Sequence, residues 1–169
     1  METYQDSYSQ RLLYDNLAGF SYGLELLETP EGWYGIATAR FLPPIKLSYG
    51  SSPLNPPTSD PISDPEGLML RSKSPDAIQT SSGDLHVFLA YETNSDDVIR
   101  LDYGSSFSNT PTIHNYEGFG FITNGAVRDI NSLEIAGDLL LVFPFSNGSV
   151  ITMNFQDSFD NIVDVSGPD

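Results

Sequence analysis

The sequence predicts an all-β domain built from three repeats of roughly 50 residues, and three observations predict it. The first is Gly83–Asn109, which reads as two strands and a turn. Leu85–Tyr91 is apolar and aromatic, Val98–Tyr103 alternates apolar with polar, and Thr93–Asp97 between them has the composition of a hairpin loop. The second is the return of this frame at Gly137–Asn161: Gly-Asp-Leu, an apolar run, a polar turn, Val-Ile, then Ser-Phe and Asn. The third is a looser copy at Gly32–Ser52, which shares Tyr-Gly-Ser-Ser with residues 103–106. Gly32 lies 51 positions before Gly83, and Gly83 lies 54 before Gly137. A period of this length points to a propeller-like or otherwise repeated architecture, in which each unit is too small to bury its apolar face alone.

Taken in order, Tyr4-Gln5-Asp6-Ser7-Tyr8 echoes Phe155-Gln156-Asp157-Ser158-Phe159. The chain is therefore expected to enter the repeat in mid-unit and leave it at the same phase, as a ring or an array that pairs end to end would. Gly19–Leu26 is expected as an outer apolar strand, with counterparts at Gly67–Leu70 and Gly118–Ile122. Each unit then holds about four short strands, with units near 4–52, 53–106 and 107–159 inside one domain spanning 1–169. Pro53–Pro65 carries five prolines and is predicted to be a stiff loop that replaces a strand. Asn147-Gly148 between two apolar runs predicts a tight hairpin turn. Asn131–Ile135 is too short for a helix, and no other stretch has helical periodicity.

Composition narrows the function. With 39% hydrophobic residues, 169 positions suffice for a real core. A formal charge of -16, with 23 acidic residues against 7 basic ones, repels nucleic-acid backbones and anionic membranes, so neither is expected as a partner. The carboxylates are scattered rather than set at calcium-loop spacing, which favours a solvated acidic surface over a cation site. Cysteine is absent, which excludes disulfides and thiol chemistry. METYQDSYSQ lacks the features of a signal peptide and no apolar run reaches membrane length, so a cytoplasmic protein, or one exported without a signal peptide, is expected. No metal or other cofactor is expected: His86 and His114 fall in different units. No nucleophile elbow is present, and the chain reads as not an enzyme, although the separation of paired carboxylates is a three-dimensional quantity.

Four phrases resemble one family: Tyr4-Gln5-Asp6-Ser7, Tyr14-Asp15-Asn16 with Gly19-Phe20, Gly35-Ile36-Ala37-Thr38-Ala39, and Val98-Ile99-Arg100-Leu101-Asp102-Tyr103. In order and spacing they are similar to the fungal fucose-specific lectins of the orange-peel-mushroom type. The resemblance implies that each repeat is a four-stranded blade of a six-bladed β-propeller, with sugar bound between adjacent blades. Three blades per chain would then require a homodimer to complete the ring. The competing fold is the β-trefoil, which also has three repeats of this length.

The resemblance further implies glycans as partners and a pocket with an aromatic plate, a planar donor and a carboxylate. Arg100 matches the family's Arg; its repeat equivalents are Lys46, which keeps charge without the fork, and Thr152, which keeps neither. His114 and Arg11 stand where Glu is expected, leaving Glu117 as a substitute. Trp33 is the single tryptophan and a candidate plate, although Phe41, Tyr91 and Phe145 fall at the family's Trp position. Tyr103 joins the binding candidates, while its repetition with Tyr49 and Phe155 equally suits packing. Arg100 could instead pair with Asp97 or Asp102, and Trp33 could cap the core. The expected function is carbohydrate binding by a lectin-like protein, possible fucose-type glycans included. The alternative is a protein-interaction or structural propeller module whose sugar sites have decayed.

Overall fold

The computed structural model describes residues 21–39, 42–64, 67, 69, 72–91, 98–116, 127 and 129–167. The phrases before residue 21, the hairpin loop 93–97, the segment 118–122, Glu117 and Phe41 lie outside them. Among the described residues, twelve strands form three separate four-stranded antiparallel sheets. The first holds β1 (Ser21–Thr29), β2 (Gly32–Ala39), β3 (Leu42–Gly50) and β4 (Thr58–Pro61). The second holds β5 (Ser72–Gln79), β6 (Leu85–Tyr91), β7 (Val98–Gly104) and β8 (Thr112–Tyr116). The third holds β9 (Asn131–Ile135), β10 (Asp138–Pro144), β11 (Val150–Gln156) and β12 (Asp164–Ser166). Each sheet is a simple meander whose neighbours in sequence are neighbours in space. The fold is all-β and propeller-like, with three blades. The trefoil is set aside, because its hairpins would share one barrel instead of forming three stacked sheets.

The central hairpins are superimposable in register. Ile36 faces Lys46, Phe88 faces Arg100 and Val142 faces Thr152. All three carry a bulge at the same place, between Trp33 and Tyr34, Leu85 and His86, and Leu139 and Leu140. The bulge forces the partner strand into the left-handed region at its last residue: Gly50 has φ +67° and Gly104 +59°. That requirement is why Tyr-Gly-Ser-Ser recurs. In the third sheet Gln156 takes the same conformation, with φ +56°, at a cost that glycine avoids. The loop that follows is also shared. Asn55 and Asn109 each donate a side-chain hydrogen bond to the carbonyl of the tyrosine six residues earlier, Tyr49 and Tyr103, both at 2.9 Å.

Two local expectations are corrected, and the short stretch Asn131–Ile135, expected not to be a helix, finds its place as a strand. Pro53–Pro65 does not replace a strand, since Thr58–Pro61 pairs with β3 from Ser48↔Thr58 to Ile45↔Pro61. Proline is compatible there because an edge strand uses only one side of its backbone. Asn131–Ile135 is the first strand of the third sheet, with alternating burial that only a period of two explains. The first strands are inner rather than outer: β1 lies against β5, and β5 against β9. A Cβ at Gly23 would sit 2.5 Å from Pro75 Cδ, so glycine permits the β1–β5 approach. The second of these strands begins at Ser72, with Met69 in the turn before it. The Asn147-Gly148 turn forms as the sequence expects, Gly148 having φ +86° and the Phe145 N–H bonding the Ser149 carbonyl at 2.9 Å.

Side-chain alternation supplies the glue between blades. Tyr34 and Ile36 on β2 pack with Val87, Leu101, Tyr103 and Phe107 of the second sheet. Phe88 and Ala90, on that sheet's other face, pack with Leu141, Phe143, Met153 and Phe155 of the third. Fully burying each such side chain contributes about 1.5–3 kcal/mol, so blade stacking rather than any single sheet holds the domain together. Tyr49, Tyr103 and Phe155 are all buried at the same strand position, in keeping with the packing role. Among the described residues no helix is long and apolar enough to cross a membrane.

Candidate functional site

Each junction between blades uses one device. The third strand of a sheet carries a cation that reaches the loop after the third strand of the next sheet. At the first junction Lys46 Nζ donates to the Phe107 carbonyl at 3.0 Å. At the second, Arg100 Nη2 donates to Asp160 Oδ1 at 2.6 Å. The aromatic that begins the loop also repeats: Phe107 stacks on Tyr34 at 5.1 Å, and Phe159 meets the edge of His86 at 5.1 Å. Register explains the match, since Tyr34 and His86 are equivalent in their hairpins.

The second junction opens into a cleft of about 380 Å³. Its floor is Arg100, 1% exposed, and His86, 8% exposed. Phe159 and the β11–β12 loop form one wall, and the β5–β6 turn with Asp84 forms the other. The Arg100 guanidinium lies 5.8 Å above the Tyr116 ring, whose hydroxyl donates to the Phe159 carbonyl at 2.5 Å. Asp102 approaches both floor residues, 3.8 Å from Arg100 and 3.7 Å from His86 Nδ1, while accepting the Gly104 N–H at 2.9 Å. Two nitrogens of these floor residues, Arg100 Nε and His86 Nδ1, are buried and make no hydrogen bond among the described residues. A buried polar atom without a partner costs free energy, and both of these belong to side chains that line the cleft.

The electrostatics are consistent with binding. Burial pushes the His86 imidazole below its ordinary value, with Asp102 opposing and Arg100 reinforcing the shift. Burial does the same to His114, which pairs with Arg100 across β7 and β8. Both rings are therefore neutral near pH 7. The hydrogen bond from Arg100 holds the Asp160 carboxyl below the usual range. Burial raises the Tyr116 phenol to about 12.

Of the residues singled out from sequence, Arg100 stands in this cleft. Lys46 and Tyr103 line a separate, smaller cleft of about 170 Å³ on the β4 side of the first junction, where Lys46 also lies 3.9 Å from Asp60. The Tyr103 hydroxyl there is buried without a partner among the described residues, and burial raises its pKa. Trp33 lines neither cleft; it packs beside Leu24 and Ile45 on the far face of the first sheet. Glu117 lies outside the described residues. Asp102 is the weaker of two partners of Arg100, because Asp160 is much closer. Sequence reasoning missed Asp160, Phe159, Tyr116 and the placement of His86. The shared Ser-Phe phrase aligned Phe107 with Phe159, but nothing in it says that the loop folds back over the preceding blade.

A second group lies where the first strands converge. Glu25 on β1, Asp76 on β5 and Asp129 just before β9 lie close enough for Asp76 and Asp129 to raise Glu25 and for Asp129 to raise Asp76. Burial, then Asp76 and Asp129, lifts Glu25 to about 7. Burial raises Asp76 as well, although Ser132 donates to it from both its N–H and its hydroxyl. Among the described residues no group of three or more His, Asp or Glu has metal-site geometry.

No protein-family profile matches the chain, and no curated protein sequence matches it. Among solved structures it is similar to a thermostable family-43 glycoside hydrolase, with a TM-score of 0.61 at 12% identity over 83% of this chain. The match covers 52% of that protein, so the chain spans about half the length of the solved structure it matches. At this identity the likeness is one of fold. It nonetheless overturns the expectation that the chain is not an enzyme. A glycoside hydrolase is built on this fold, and the missing sequence motifs were no ground for exclusion, because acidic pairs assemble only in three dimensions.

Proposed function

We propose that this chain binds carbohydrate in the cleft between the second and third blades. The observation that carries the reading is the cleft of about 380 Å³ whose lining sets Arg100, His86 and Phe159 beside several carboxylates. A sugar suits such a lining. Its hydroxyls both donate and accept, so they satisfy a guanidinium, a neutral imidazole and surrounding carboxylates together. Fucose-type glycans are the first class to test, on the resemblance of the Arg100 strand to fungal fucose-specific lectins. A glycan array with the intact chain is the primary experiment, followed by titration of Arg100→Lys with any hit. Loss of the planar fork should weaken binding by about 1–3 kcal/mol. Silence across the array at high protein concentration, or unchanged affinity in Arg100→Lys, would remove the reading.

A second reading is favoured by one observation, the Glu25 carboxyl raised to about 7 beside Asp76 and Asp129. Glycoside hydrolysis pairs a protonated acid with an ionised carboxylate, and a group with a pKa near 7 can serve as the acid. The fold likeness to a glycoside hydrolase supports testing it. Release of nitrophenol from a panel of aryl glycosides, abolished in Glu25→Gln, would support hydrolysis at this site; turnover unchanged in Glu25→Gln would dismiss it.

A further inference from the structure

One row of side chains across each sheet is charged in the first two blades and uncharged in the third. In the first sheet, on the face turned to the second, it reads Glu25, Ile36, Lys46 and Asp60. In the second sheet, on the face turned to the third, it reads Asp76, Phe88, Arg100 and His114. The same register in the third sheet gives Asn131, Val142, Thr152 and Ser166, with no ionisable group. The first two faces are covered by the sheets that follow them, and Lys46 and Arg100 reach the loops of those sheets. The third face is open: Leu133, Ile135 and Val150 on it are 42%, 55% and 49% exposed. The chain carries a formal charge of -16. An exposed face that keeps apolar side chains there, and drops the charges of its own repeat, has the composition of an interface rather than of a solvated surface.

We propose that this face of the third sheet pairs with the same face of a second copy of the chain, in a two-fold symmetric dimer. Three observations choose that occupant. A following sheet of the kind found at the other junctions meets a cation with its loop, and Thr152 offers none. A head-to-tail copy, as a six-bladed ring needs, would dock on the far face of the first sheet. That face is already buried, with Ala37, Leu47 and Tyr49 at 2%, 1% and 3% exposure. In a self-paired contact a charge near the axis meets its own copy, so the absence of charge from the central row suits that arrangement. The acids that remain on the face, Asp138 and Asp164, lie together at one end of the strands. A two-fold axis running across the strands sets those ends apart, and Leu133, Leu140 and Val142 then pack against the partner sheet at about 10 Å. One sheet face is small for a specific interface, so the dimer is weak and forms at high concentration.

The test is sedimentation equilibrium of the intact chain across a concentration series. The average mass should climb from one chain to two and stop there, with half the chain paired at roughly 10–100 µM. Two chains of like charge must approach, so raising salt to about 0.5 M should tighten the dimer severalfold, the opposite of an ion-paired interface. Leu133→Glu combined with Val150→Glu, both at exposed positions, should weaken it by more than about tenfold. Because the chain has no cysteine, single introduced cysteines map the contact. A short bismaleimide should link Thr152→Cys into a dimer and leave Leu54→Cys, in the exposed loop after β3, as single chains. The concentration and salt series need no variant, so a misfolded mutant leaves the proposal testable. A monomer at every concentration overturns it. A dimer that ignores the double variant, or that links Leu54→Cys as readily as Thr152→Cys, lies on another surface and also overturns it. A mass that keeps rising past two chains overturns it in favour of head-to-tail assembly.

Discussion

The Arg100–Asp160 contact ties the second blade to the third, and Asp160→Asn isolates it. The substitution keeps size and one acceptor oxygen while removing the charge that Arg100 faces. A hydrogen bond to a charged group contributes about 1.5–3 kcal/mol. Two features of the structure reduce that figure. The Asp160 side chain is 66% exposed, so water screens the pair, and Asp102 at 3.8 Å supplies a second carboxylate to Arg100. Against them stands the burial of Arg100 at 1% exposure, which makes an uncompensated guanidinium costly. The expected loss at pH 7 is about 1–2 kcal/mol by urea unfolding followed with far-UV circular dichroism.

Acid provides an internal check on the cause. Arg100 lowers the Asp160 pKa in the folded state, so the folded carboxyl gives up its proton more readily than the unfolded one. Its contribution to stability is complete above the unfolded value of about 3.9 and disappears as pH falls through the folded value. The difference between wild type and Asp160→Asn should therefore be level from about pH 5 to pH 8 and shrink below about pH 4. A difference under about 0.5 kcal/mol at pH 7, or one of constant size down to pH 2, would refute the argument that charge, rather than shape, couples these blades.

Three further outcomes are expected. Gly104→Ala should destabilise by about 1–2 kcal/mol, because φ is +59° while the new Cβ meets nothing nearer than Asn109 Nδ2 at 4.0 Å, so the cost is conformational alone. Gln156→Gly, at the equivalent place, should be neutral or stabilise by up to about 1 kcal/mol, and thermal melts of the two variants decide whether the shared bulge sets the requirement. For Glu25 the folded pKa is raised to about 7, so stability is highest at acid pH and falls as pH rises from the unfolded value of about 4.3 towards 7. Glu25→Gln should flatten that decline and add about 1 kcal/mol at pH 8, a figure kept small because the carboxyl is only half-buried, with urea melts across the range as the measure. Phe159→Ala should cost about 3–5 kcal/mol, since the ring touches His86, Phe88 and Phe155 at centroid distances of 5.1, 4.8 and 5.2 Å and is 2% exposed.

The central hairpins were legible because their constraint is local. A bulge needs a left-handed residue at one position, glycine meets the need cheaply, and Gly50 and Gly104 repeat with their neighbours. The flanking strands were less legible, because edge and inner strands are fixed by what lies beside them. Thr58–Pro61 becomes a strand only because β3 offers it a free edge, and Asn131–Ile135 only because β10 does. The site divides in the same way. Arg100 could be found from sequence, as the one arginine at its repeat position, whereas Asp160 lies 60 residues away in the next blade. Glu25, Asp76 and Asp129 are an ordinary scatter of acids until three strands converge.

The two junctions can be compared because their hairpins share the bulge near the last residue and the register around Lys46 and Arg100, while most side chains differ. Lys46 satisfies a backbone carbonyl, which any residue at the loop position would offer, so the first junction is tied by main chain. Arg100 instead takes a side-chain carboxylate, which only the residue at Asp160 supplies. Tyr34 at the first junction becomes His86 at the second, replacing a stacked ring with an edge-on imidazole whose Nδ1 is left over. These substitutions do little for packing, which Phe107 and Phe159 already provide. What they change is the polarity of the lining of the cleft of about 380 Å³ at the second junction. The second junction thus pairs a charged, polar lining with the larger of the two clefts, and that places the search for a ligand there before the first junction.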